Sequence, residues 1–188
     1  MEMAPLDLMP HTVNLFLKQV HNGLWDGTHV TMNERRVLRI GPRYDDDANI
    51  DDGHESYRHF LEKGLDKVSY QEYSPEYPHD QFTVGMAGRS SGPDFYINKI
   101  DNTRMHGPGG GRMNDCEICN NEADPCFGRL VDGSRPYIDI LSAIDRVPVN
   151  SRQYPESKVL IRSAKVLILR KDGKWRSVAR DNIVPFPV

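Results

Sequence analysis

The feature that most constrains this chain is the way its apolar residues are parcelled. They fall into short runs rich in Val, Ile, Leu, Phe and Tyr, each ended by Gly, Pro, Asp or Asn. RRVLRI (35–40), QFTVGMA (81–87), DFYINKI (94–100), CFGRLV (126–131) and KVLIRSAKVLILR (158–170) read as strands, the last being the strongest signal. Only two stretches carry convincing helical spacing. In 10–23, Val13, Phe16, Leu17 and Val20 form one stripe, with Pro10 at the start and Gly23 just past the end. In 135–146, Ile138, Leu141 and Ile144 form another, with Ser134 available as a cap and Pro136 near the first turn. The stretch ESYRHFLEKGLDKVSY (55–70) leaves a short helix and irregular structure both open. Many short strands and two helices predict a closed β-barrel or sandwich rather than a βαβ fold. No internal repeat is found.

A chain of 188 residues suits one domain, and its 38% hydrophobic content suffices for a core with much loop around it. A net charge of −3 offers no electrostatic support for nucleic-acid binding. No apolar run reaches membrane-spanning length, and MEMAPLDLMPHTV lacks the basic and apolar regions of a signal peptide, which leaves the compartment open. Cys116, Cys119 and Cys126 suggest a zinc site with His106 as fourth ligand, but the spacing favours free thiols or a local disulfide. The acidic loop PRYDDDANIDDGH (42–54) fails the EF-hand pattern from either Asp45 or Asp47, because the required Gly and Glu are missing. HGPGGG (106–111) is followed by no Lys-Ser/Thr and reads as a flexible loop rather than a phosphate loop. No cofactor is expected.

GRSSGPDFYINKIDN (88–102) sets two adjacent aromatics on one strand. Neighbouring strand side chains point to opposite faces, so one should enter a core and the other should line something open. The segments HTVNLFLKQVHNGLWDGT, MAGRSSGPDFYI and DPCFGRLVDG, in this order and followed by a short helix and a last strand, resemble the cyclophilin-type peptidyl-prolyl isomerases. Pro10, Thr12, Val13, Phe16, Gly23, Trp25, Asp26, Gly27 and Thr28 fit the family's first pattern; Ala87, Gly88 and Gly92–Ile97 fit the second; Pro125–Gly133 fit the third. The resemblance spans residues 4–170. It implies an eight-stranded antiparallel barrel closed by two helices, with 171–188 as a C-terminal extension. It puts Phe95 in the core and Tyr96 on the floor of a proline pocket. The family opens with two strands, whereas only MEMAPLDLMP precedes the first pattern here, so some segment is expected to cover the barrel edge.

The resemblance also implies a mechanism. Cyclophilins twist an X-Pro amide against a barrier of about 18–20 kcal/mol. They use an apolar slot and an arginine that stabilises the twisted state. Aligned without gaps, Met32 stands at the arginine position, Ile40 begins the family's Q-G-G, and Asp124 stands at a histidine position. Tyr96, Met32, Ile40, Met86, Asp124 and Phe127 are therefore the expected peptide-binding residues, with Arg36 or Arg39 as substitute cations and Arg35 nearby. The expected partner is a proline-containing peptide or protein, bound with weak or absent isomerisation. An active isomerase using a displaced arginine and a structural docking subunit are the alternatives.

Overall fold

The computed structural model of the chain describes residues 1–42, 51–68, 72–87, 92–110, 122–133 and 135–178, with the side chains of 51–54 excepted. Among the described residues, eight strands and four helices follow one another as β1 (Glu2–Met3), α1 (Pro10–His21), β2 (His29–Asn33), β3 (Val37–Gly41), α2 (Asp51–Glu62), β4 (Thr83–Met86), β5 (Phe95–Asn98), α3 (Thr103–His106), β6 (Cys126–Arg129), α4 (Tyr137–Asp145), β7 (Leu167–Leu169) and β8 (Trp175–Ser177). Six strands make one antiparallel sheet in the order β1-β6-β4-β5-β3-β2, and β7-β8 form a separate hairpin.

The closed eight-stranded barrel expected from the sequence is not found among the described residues. The sheet is open, ending at β1 and β2. The cause lies in 158–170, the strongest strand signal. Only Leu167–Leu169 of it is strand, and that strand pairs with β8 instead of joining the main sheet. Residues 159–161 do cover one edge: Val30 N donates to Val159 O and Ile161 N to Thr28 O, at 2.9 and 2.7 Å. These bonds occupy part of the β2 edge. Residue 170 lies in the β7–β8 turn, where Gly173 adopts φ +76° and its N–H donates to Arg170 O.

The core lies on one face of the sheet, under α1. Phe16 on α1 packs 5.5 Å edge-on to Phe95, 4.9 Å from Phe127 and 5.6 Å from Trp25. Trp25 in turn meets Phe60 of α2 edge-on at 5.3 Å. Its indole N–H donates to Gln19 Oε1, and Gln19 Nε2 donates to Leu65 O, so this buried polar pair is satisfied. Helix α1 begins at Pro10 as expected but has no cap of its own. Glu72, from a distant loop, accepts hydrogen bonds from the backbone N–H groups of His11 and Thr12 and from the Thr12 hydroxyl, at 2.7, 2.7 and 2.6 Å. A carboxylate there satisfies two orphan donors and sits at the positive end of the helix dipole. On α4, Leu141 is buried, Ile144 packs against the core and Ile138 is exposed, so the expected stripe is only partly used. Pro136 caps α4 by position; Ser134 lies outside the described residues. Of the acidic loop, 43–50 lie outside the described residues and 51–54 belong to α2.

Candidate functional site

The second face of the main sheet carries the candidate site. Strand register decides who reaches it. Met32 pairs with Arg39, Arg39 with Tyr96, and Tyr96 with Gly85, so these four positions form one row on that face. Val30 pairs with Ile40 on the core face. Met32, two residues on, would share that face but for an irregularity in the ladder between Val30 and Met32, which turns it outward.

Tyr96 is buried although it faces away from the core. A β-carbon on Gly85 would lie 2.4 Å from the Tyr96 Cζ, so the ring rests flat on the glycine backbone. Its hydroxyl donates to Asp124 Oδ2 at 3.0 Å. The same carboxylate oxygen lies 2.8 Å from His106 Nδ1, and the His106 ring sits 4.5 Å from the Tyr96 ring, tilted 31°. His79 completes the cluster. Its Nε2 lies 2.8 Å from Asp124 O, and its Nδ1 lies 3.4 Å from Asn98 Nδ2. A neutral ring donating from Nε2 and accepting at Nδ1 meets both contacts. Burial lowers the His79 pKa to about 4, which keeps that ring neutral at pH 7. Asn98 also donates to Thr83 Oγ1, and Asn102 Nδ2 donates to Asn98 Oδ1, extending the network below the ring.

Arg39 is half-exposed, and its Nε lies 3.1 Å from Asp94 Oδ2. Asp94 is buried, with its carboxylate held against Gly41, where a β-carbon would come within 2.2 Å of it. The guanidinium is thus anchored beside the row that Met32 and Tyr96 share. Arg36 is exposed in the β2–β3 turn, its carbonyl accepting from Lys99 N and Asn102 Nδ2; Arg35 is exposed beside it.

The structure therefore brings Met32, Arg39, Tyr96 and Asp124 to one face. It puts Ile40, Met86 and Phe127 in the core, buried against the opposite face. The physical reason is strand alternation: Ile40 and Met86 both pair with Phe95, whose ring points at Phe16. Of the residues considered for zinc, Cys126 is buried with its thiol donating to Pro78 O, and Cys116 and Cys119 lie outside the described residues. Burial pushes the Cys126 thiol up to about 12. Among the described residues, His106 is engaged by Asp124. Sequence reading missed His79, Asp94 and Gly85. Gly85 alone had a visible signal, a glycine inside a strand pattern.

Comparison with known proteins agrees with this architecture. The family model for cyclophilin type peptidyl-prolyl cis-trans isomerases matches residues 5–166. The chain belongs to that family. A crystal structure of a Cryptosporidium parvum cyclophilin type peptidyl-prolyl cis-trans isomerase is similar in fold, with TM-score 0.57 at 16% identity, covering 84% of each chain. A second structure of that protein, in the presence of the dipeptide Ala-Pro, matches with the same TM-score and identity over 84% of this chain and 85% of its own. No curated protein sequence matches the chain. Among the described residues, no helix is long and apolar enough to cross a membrane.

Proposed function

We propose that this domain binds a proline-containing peptide or protein segment across the face bearing Met32, Arg39 and Tyr96, and that it isomerises X-Pro bonds at a rate near background. The observation that carries the reading is the closed floor. The Tyr96 ring, which the family resemblance assigns to the proline slot, lies under His106 with its hydroxyl tied to Asp124. Met32 at the arginine position supplies no charge to favour a twisted amide. A charge-assisted hydrogen bond contributes about 1.5–3 kcal/mol, and about 1.4 kcal/mol is tenfold in rate. Its loss alone costs about one to two orders of magnitude.

One observation favours the second reading, an active isomerase with a displaced cation. Arg39 pairs directly with both Met32 and Tyr96 across the ladder, so its guanidinium belongs to the right face. Its ion pair with Asp94 argues for a fixed rather than a mobile role.

The deciding experiment measures X-Pro isomerisation by the chain, by Met32→Arg and by Arg39→Ala, with binding of an Ala-Pro-containing peptide followed by NMR in parallel. The expected result is peptide-induced shifts on the Met32–Tyr96 face, turnover near background, and a gain in Met32→Arg. Strong wild-type turnover abolished in Arg39→Ala would move the assignment to the second reading. Absence of both turnover and peptide shifts would remove the peptide-binding role.

A further inference from the structure

The β7–β8 hairpin is built unlike a solvated surface element. Leu167, Ile168, Leu169 and Trp175 are 52, 55, 55 and 59% exposed, on strands of three residues each. Cross-strand partners share a face, so Leu169 and Trp175 lie together with Leu167 beside them, while Ile168 shares the other face with Arg176. An isolated two-stranded hairpin is marginal in water and is held by a third strand or a cover. Among the described residues, β7 and β8 pair only with each other. Leu167 also lines a cavity of about 250 Å³ with Met1, Met3, Leu17 and Val166, so the apolar surface continues into the α1 side of the sheet.

Charge selects the occupant. Lys165, Arg170, Lys171, Lys174 and Arg176 flank or form the hairpin against a single acid, Asp172, in a chain whose net charge is −3. A second copy of the same hairpin would bring like charges together. Among the described residues the outer edges of β7 and β8 have no ladder partner, and their backbone donors and acceptors stand in ladder spacing, which another polypeptide matches and a lipid surface does not. We propose that the β7–β8 hairpin is a docking surface for an extended segment of another protein that alternates apolar with acidic residues and adds to it as a further strand. This surface is separate from the Tyr96 face and does not depend on isomerase activity.

Trp175 reports directly on the proposal, because the other tryptophan, Trp25, is only 2% exposed. The full chain is titrated with a ten-residue peptide alternating Val with Glu, with its counterpart alternating Val with Lys, and with anionic phosphatidylserine vesicles. The expected result is a saturable blue shift of Trp175 emission with the acidic peptide alone. The double variant Lys174→Glu/Arg176→Glu should weaken that binding by about tenfold or more. A circular-dichroism check that the variant keeps its fold guards the comparison. A shift with vesicles and none with peptide would assign the surface to a membrane. A shift that grows with protein concentration alone would assign it to a second copy. Emission already blue at every concentration without peptide would assign the cover to the chain's own residues 179–188. No shift under any condition would overturn docking outright.

Discussion

Gly85 has no side chain because Tyr96 lies where one would be. An added β-carbon meets the ring Cζ at 2.4 Å and the hydroxyl at 2.5 Å, so the ring must leave Asp124 or the strand must bend. Overpacking of this kind costs about 1–3 kcal/mol. Gly85→Ala should therefore lower the urea midpoint. Pairing it with Tyr96→Ala should cost less than the two single changes summed, because the clash is then gone. Strict additivity would mean that the two residues do not touch in solution. The same logic of close approach holds at Gly41, where the Asp94 carboxylate occupies the space and anchors Arg39.

At the scale of elements, α1 shows how a helix depends on chain far from it. Its N-cap, Met9, makes no side-chain capping bond, and Pro10 supplies only a favourable start. The capping oxygens come from Glu72, which is buried and more than one element away. Glu72→Ala should cost about 2 kcal/mol, the upper range of a lost cap, since it also strips the Thr12 hydroxyl of its acceptor. Glu72→Gln should cost less, because an amide oxygen still accepts. Urea unfolding with far-ultraviolet circular dichroism measures both; equal stability of the Ala variant and the parent would show that water satisfies the first turn. β2 is a second case. Part of its outer edge is satisfied by 159–161, so a segment that reads as an independent strand serves instead as the border of another.

At the scale of the whole molecule, two buried histidines contribute to the response to acid. His79 has its pKa lowered to about 4 by burial, and His29 is lowered in the same direction by burial and by Lys158. Both groups bind protons more weakly folded than unfolded. Between the unfolded value near 6.5 and the folded value, the unfolded state therefore takes up more protons, and acid favours unfolding. Stability should be flat just above pH 7 and fall as pH drops from about 6.5 towards 4. His79 contributes on the order of 3 kcal/mol to that loss. In His79→Gln the slope between these limits should be shallower, although its neutral-pH stability is also lower. Chemical denaturation at a series of pH values tests this, and an unchanged slope in the variant would show that His79 titrates normally in the folded state.

Local pattern was enough for much of this protein. The stripe of Val13, Phe16 and Val20 marked α1 and its buried face. The adjacent aromatics marked a strand with two different sides, and Phe95 does enter the core. The ordered motifs carried the family. These features were legible because helix period, strand alternation and turn chemistry depend on residues close in sequence. The placement of site residues was not. An irregularity between Val30 and Met32 turns Met32 outward, while alternation alone sends Ile40 and Met86 into the core, and no sequence count reveals ladder register. The β2 residue Asn33 takes its side-chain partners from Lys99 and from the carbonyl of Ile144, across 66 and 111 residues. Glu72 on α1, Asp124 and His106 on Tyr96, and Asp94 on Arg39 are likewise contacts between distant segments. Such pairings exist only once the sheet and its loops have packed, because hydrogen bonds and ring contacts act over a few ångströms whatever the separation along the chain. For that reason the sequence by itself determined the family and most of the elements, whereas only the tertiary structure decided which side chains share the site.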